Sequence, residues 1–162
     1  MECHREFPWW KVIYNGICFS GLQVSGLFIS ARLGSTIFIG FIIITTLSLL
    51  LTWTTICNRC GYYGHRCALA MGKIAPLLRR KGNEAEYCRT KPQLVAVILL
   101  GIAFLIPIAG GLWLAFQGNL LWPVLFGIFL LALALPHPRL MCRYCEQRER
   151  GACAIGAWLV KS

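Results

Sequence analysis

The 162-residue chain is 57% hydrophobic and only 14% charged, with a mean hydropathy of +0.64, whereas soluble domains are about 25% charged. This composition excludes an ordinary water-soluble domain, whose apolar runs are broken by polar faces. The net charge of +10 would suit nucleic acid, but its distribution along the chain points elsewhere.

In chain order, the apolar runs predict four transmembrane helices, over 12–30, 35–56, 93–116 and 120–136. No charged residue occurs from Leu33 to Asn58, or again from Pro92 to Pro138. A membrane crossing needs about 20 apolar residues. The first run is the weakest, being diluted by Asn15, Ser20, Gln23 and Ser25. It lacks a small-x-small cleavage site, because Phe28 stands where a small residue is needed, so it reads as a retained helix and not a signal peptide. Gly16, Ser20, Gly21, Ser25, Gly26 and Ser30 give it a small-residue stripe of the kind that lets helices approach closely. Pro107 is expected to kink the third helix.

Of the sixteen Lys and Arg residues, all but Arg32 lie in the N-terminal tail, the segment between helices two and three, or the C-terminal tail. Cytoplasmic segments carry the excess of Lys and Arg. Both termini and the middle loop are therefore expected on the cytoplasmic side of the cell (inner) membrane. Trp9, Trp10 and Trp53 would mark the inner boundary, and Trp113 and Trp122 the outer one. Read this way, the basic charge serves topology and anionic lipid, and specific nucleic-acid binding is not expected. Ala68–Gly82 is expected to begin as a short helix on the membrane surface, broken or kinked by Pro76.

The chain also repeats. Helices one and two lead into Cys57-Asn-Arg-Cys60 and then Cys67-Ala-Leu-Ala; helices three and four lead into Cys142-Arg-Tyr-Cys145 and then Cys153-Ala-Ile-Gly. The expected fold is all-α integral membrane, built as two tandem helical hairpins. Residues 1–92 form the first hairpin with its cysteine-rich basic loop, and 93–162 the second with its cysteine-rich tail. Because two spans return the chain to its starting side, both cysteine motifs emerge on one face.

Cys18, inside the first helix, reads as a small buried hydrophobe. The other eight cysteines of the nine fall on the side expected to be reducing, where such spacing means metal binding or redox chemistry more often than disulfides. In C-x2-C two thiolates can turn toward one ion, and Gly61 is expected to permit the tight turn that follows Cys60. The candidate ligands are Cys57, Cys60, Cys67, Cys142, Cys145 and Cys153. Cys88, Cys3 or His65 are possible further ligands, as are His4 and His137. The cysteines could form two sites, or Cys57, Cys60, Cys142 and Cys145 could pool in one.

Cys57-Asn-Arg-Cys60-Gly61-Tyr62 resembles the first knuckle of a zinc ribbon or rubredoxin over six residues. A hairpin followed by a cysteine motif and a basic helix also resembles the membrane polyferredoxins of respiratory electron transfer, although their C-x2-C-x2-C-x3-C-P spacing is absent. These resemblances imply an iron–sulfur cluster or zinc held by cysteines. They imply an accessory or electron-transfer subunit bound in the lipid bilayer, with a larger membrane or redox complex as its further partner. The alternatives are a zinc scaffold that recruits a partner and a membrane dithiol/quinone oxidoreductase, which would require the cysteines to face the oxidising side. No catalytic constellation is evident: His65 has no orienting carboxylate near it in sequence. The expected spans contain no ionisable residue, which disfavours a proton-coupled transporter or a b-type cytochrome.

Overall fold

The computed structural model describes residues 6–87 and 90–141, which are helical with no strand among them. The long elements are α1 (Trp9–Leu33), α2 (Ser35–Leu51), α4 (Lys91–Phe116) and α5 (Leu121–Ala134); α3 (Met71–Leu78) and α6 (His137–Leu140) are short. Three helical stretches, Trp9–Leu33, Ser35–Arg59 and Lys91–Phe116, are long and apolar enough to cross a membrane. The chain is thus a membrane protein by the length and hydropathy of its helices.

The fourth expected span is shorter than its apolar run suggests. At 14 residues, α5 is ~21 Å long at about 1.5 Å per residue. The backbone nonetheless stays right-handed through Leu120, Leu135, Pro136, α6 and Met141. From Leu120 to Met141 that path is ~33 Å if every residue rises as in an α-helix. The break comes where Pro136 and Pro138 interrupt the donor series.

Two tight turns need glycine. Gly34, at φ 127°, separates α1 from α2, and Gly118, at φ 81°, ends α4. Both conformations are cheap only without a Cβ. After α4 the amide of Asn119 donates back to the Leu114 carbonyl at 3.0 Å, closing the helix end before α5. α4 itself runs unbroken from Lys91 to Phe116 through Pro107.

Helix packing follows a cross-over pattern. α1 packs most extensively on α5 and α2 on α4, while α1 and α4 meet in the middle. Leu22, Ile29, Leu114 and Phe126 form the buried centre, with Phe104, Trp122 and Phe129 around it. Part of the small-residue stripe of α1 serves this packing. A Cβ on Gly21 would fall 2.6 Å from the Phe129 ring, and one on Gly26 would fall 3.0 Å from Phe41 Cζ. Phe28 and Trp122 stack with centroids 4.0 Å apart. Serines inside α1 are satisfied by their own helix, Ser25 Oγ donating to the Gly21 carbonyl and Ser30 Oγ to that of Gly26.

The outward faces carry Ile37, Ile43, Val97, Leu105, Leu112, Phe116, Ile128 and Leu131, all well exposed. An apolar belt of this extent on a monomer marks contact with something other than water, and hydrocarbon fits it.

Candidate functional site

The end of α2 is not regular. It widens into a π-helical turn over Thr52–Ile56 and then tightens into a 3-10 turn over Cys57–Arg59. π-turns displace carbonyls from the ordinary i→i−4 ladder and occur frequently at functional sites. Here side chains from the next turn and from two distant segments meet the carbonyls. Gln93 Nε2 donates to the Thr55 carbonyl at 2.8 Å and Arg59 Nη1 to the same oxygen at 3.1 Å, while Arg79 Nη1 reaches the Thr54 carbonyl at 3.4 Å. The side chain of Gln93 also holds the start of α4, its Oε1 accepting from the Thr90 amide at 3.0 Å.

Directly after the π-turn comes the first cysteine pair. The Cys60 amide donates to the Cys57 carbonyl at 3.3 Å, and the Tyr63 amide to the Cys60 carbonyl at 3.0 Å. These bonds wind residues 57–63 into a compact knuckle. The left-handed glycine of this loop is Gly64, at φ 82°, and not Gly61. Sequence reasoning placed the turn too early: the knuckle closes with ordinary backbone angles at Gly61, and the reversal comes three residues later. There the Gly64 amide donates to the Gly72 carbonyl at 2.8 Å.

Cys67 lies in the returning limb of this loop, its Sγ accepting from the Gly72 amide at 3.3 Å. Cys57, Cys60 and Cys67 are partly buried and form no disulfide among the described residues, and Cys57 lies within electrostatic reach of the other two. Cys18 is buried within α1, as expected of a packing residue. Among the described residues no group of three or more His, Cys, Asp or Glu side chains closes to hold a metal ion. The first three-cysteine motif is brought together without forming a complete site. Cys3, His4, Cys88, Cys142, Cys145 and Cys153 lie outside the described residues.

Three distant segments converge on the knuckle. Phe7, Val12, Tyr62 and Met141 form a buried cluster, with Cys60, Cys67 and Leu140 packed against it. The Phe7 amide donates to the Arg66 carbonyl at 3.0 Å, and the Phe7 and Tyr62 rings lie 5.4 Å apart and tilted by 60°. Asn15, on α1, donates from Nδ2 to the Ala68 carbonyl at 3.1 Å. Met141 is 2% exposed and is the residue immediately before Cys142 in the sequence.

A polar clasp covers this cluster. The Glu6 carboxylate pairs with Arg66 and faces His65 Nδ1 at 3.4 Å, while the Arg66 guanidinium lies over the Trp9 ring at 4.8 Å. The hydrogen bond from His65, followed by the charge and hydrogen bond of Arg66, holds the Glu6 carboxyl below the usual carboxylate range. The carboxylate missing beside His65 in sequence is therefore supplied from 59 residues away. The Glu6–His65 pair thereby tethers the N-terminal segment to the cysteine loop. His137 Nδ1 is buried without a partner.

Phe7, Asn15, Tyr62, Gln93 and Met141 were not marked by sequence spacing as site residues. Two had a readable signal: Asn15 is an amide within an apolar run, and Thr90-Lys-Pro-Gln93 has the form of a capping box. The chain matches no known protein family, no curated protein and no solved structure.

Proposed function

We propose that the chain is a four-span membrane anchor of two tandem hairpins that presents a cysteine-ligated metal centre at one membrane face. In this reading it serves as an accessory or electron-transfer subunit of a larger complex. The observation that carries it is the burial of Met141 in one cluster with Phe7, Val12 and Tyr62, against which Cys60 and Cys67 also pack, because it joins the residue before the second C-x2-C to the knuckle made by the first. That juxtaposition favours the pooled arrangement, in which Cys57 and Cys60 act with Cys142 and Cys145, over two independent sites.

The packing pattern supports the duplicated fold. Exchanging the hairpins turns the α1–α5 contact into the α4–α2 contact and leaves α1–α4 on the axis, as a parallel repeat requires. The helical path from Leu120 to Met141 supports a fourth crossing. The excess of Lys and Arg in the segments flanking the cysteine motifs supports placing that face, and both termini, in the cytoplasm.

The donor chemistry fits a thiophilic centre. No disulfide joins the described cysteines, one of them accepts a backbone N–H, and a tetrahedral thiolate set would draw its remaining ligands from the second motif. An iron–sulfur cluster would supply one-electron transfer at the membrane surface. Zinc would instead clamp the two hairpins together, a second reading favoured by the buried aromatic and aliphatic packing around the knuckle.

The test is metal and acid-labile sulfide analysis, with a visible spectrum, of anaerobically purified protein in detergent. Iron with sulfide and a chromophore that bleaches on reduction supports electron transfer, and stoichiometric zinc without colour supports the clamp. Absence of both metals, or full metal retention by the Cys57→Ser/Cys60→Ser variant, overturns the proposal.

A further inference from the structure

The segment after Cys67 carries a surface that the metal-centre proposal does not use. α3 turns only Gly72 and Ala75 into the protein. On its outer side Ile74 is 38%, Leu77 84% and Leu78 45% exposed. Residues at i, i+3 and i+4 share one face of a helix, so these three form a single apolar stripe. Lys73, Arg79 and Arg80 border that stripe and are exposed. None of these three cations forms a salt bridge among the described residues, in contrast to Arg59, Arg66 and Lys81, which pair with Glu86, Glu6 and Glu84.

The surface is also fixed in place. The Tyr63 hydroxyl donates to the Arg79 carbonyl at 2.8 Å, and Arg79 Nη1 reaches the Thr54 carbonyl at the end of α2 at 3.4 Å. α3 therefore packs on the turns that end a helical stretch long enough to cross a membrane, and its leucines remain exposed there. A soluble acidic protein would match the cations but not a leucine left almost fully exposed next to the bilayer boundary. An apolar stripe edged by cations, beside a spanning helix, is the arrangement of a helix lying in the lipid interface.

We propose that α3 and its cationic border form a binding surface for anionic phospholipid, with Ile74, Leu77 and Leu78 at acyl-chain depth and Lys73, Arg79 and Arg80 at the headgroup phosphates. Lipid bound there holds the cysteine loop against the membrane through the Tyr63–Arg79 and Gly64–Gly72 hydrogen bonds.

The full chain in detergent is titrated with phosphatidylglycerol or phosphatidylcholine of equal acyl length, and bound lipid is counted by native mass spectrometry. Phosphatidylglycerol is expected to bind more tightly. That preference is expected to fall about fivefold for each charge removed in the series Arg80→Gln, Arg79→Gln/Arg80→Gln and Lys73→Gln/Arg79→Gln/Arg80→Gln, and to survive Arg32→Gln at the other end of α1. Circular dichroism identifies any variant that loses helix, in which case the single Arg80→Gln change decides. Equal binding of the two lipids overturns the proposal, as does an undiminished preference in the helical variants. Displacement of phosphatidylglycerol by inorganic phosphate or by an acidic peptide also overturns it, since the surface would then serve a soluble anion or a protein.

Discussion

The side-chain amide of Gln93 donates to the Thr55 carbonyl at 2.8 Å and so ties the first turn of α4 to the π-turn that leads into Cys57. Gln93 is 1% exposed, and its other amide atom is occupied by the Thr90 amide. A buried polar group whose partner is removed costs about 1–3 kcal/mol. Gln93→Leu is therefore expected to lower the stability of the detergent-solubilised protein by about that amount. It should also speed alkylation of Cys57 and Cys60, because the carbonyl that positions their turn loses its shortest bond. Thermal melting and timed maleimide labelling check the two effects. Unchanged labelling would show that Arg59 alone suffices to hold Thr55.

Gly72 lies where the loop after the knuckle folds back on itself. A Cβ there would run into the backbone carbonyls of Tyr62 and His65, neither of which is a flexible chain end. Gly72→Ala is expected to cost about 1–3 kcal/mol through overpacking. It also displaces the amide that donates to Cys67 Sγ, so Cys67 becomes the faster-labelled thiol. Gly127, on α5, has nothing within 4 Å of its added Cβ, and Gly127→Ala serves as the neutral comparison. Melting temperatures of the two variants should separate clearly.

These residues show what the sequence could and could not reveal. Helix positions were readable because uncharged runs of spanning length admit few other structures. α1 was extended beyond 12–30 at both ends, to Trp9 and Leu33, because Lys11 and Arg32 are tolerated at helix ends where their charges lie near the interface. The π-turn had no signature: Thr52-Trp-Thr-Thr-Ile56 is as compatible with regular helix, and two of the side chains that meet its carbonyls, Gln93 and Arg79, come from distant segments. The cysteine spacing identified the knuckle, yet the cluster of Phe7, Tyr62 and Met141 that surrounds it depends on contacts across the whole chain. Spacing pointed to Gly61 as the turn glycine; the left-handed residue is Gly64, whose amide bonds the Gly72 carbonyl, a contact that spacing does not reveal.

The clasp at Glu6 should respond to acid. Its carboxyl is held below the usual range by His65 and Arg66, so the folded state binds the proton less readily than the unfolded chain. A carboxyl of this kind contributes stability that is present above its ordinary value and is lost as pH falls through the folded value. The melting temperature of the native chain is expected to exceed that of Glu6→Gln near pH 6, and the difference to vanish as the pH is lowered below the usual carboxylate range. A difference that is constant with pH would assign the effect to packing and not to charge.

One close approach between the two halves, that of α1 to α5, can be tested by exchange of volume. A Cβ on Gly21 would fall 2.6 Å from the Phe129 ring, which is possible only because glycine leaves that space free on α1. Gly21→Ala is expected to destabilise the bundle by about 1–3 kcal/mol. Phe129→Ala removes the ring and leaves a cavity, at a cost of about 3–5 kcal/mol. Combined, the new methyl enters part of the space vacated by the ring, so the double variant should be more stable than the sum of the two single effects by an interaction of about 0.5–3 kcal/mol. Strict additivity in a thermal double-mutant cycle would mean that α1 and α5 do not meet at these residues, and the cross-over packing of the hairpins would lose its α1–α5 contact there.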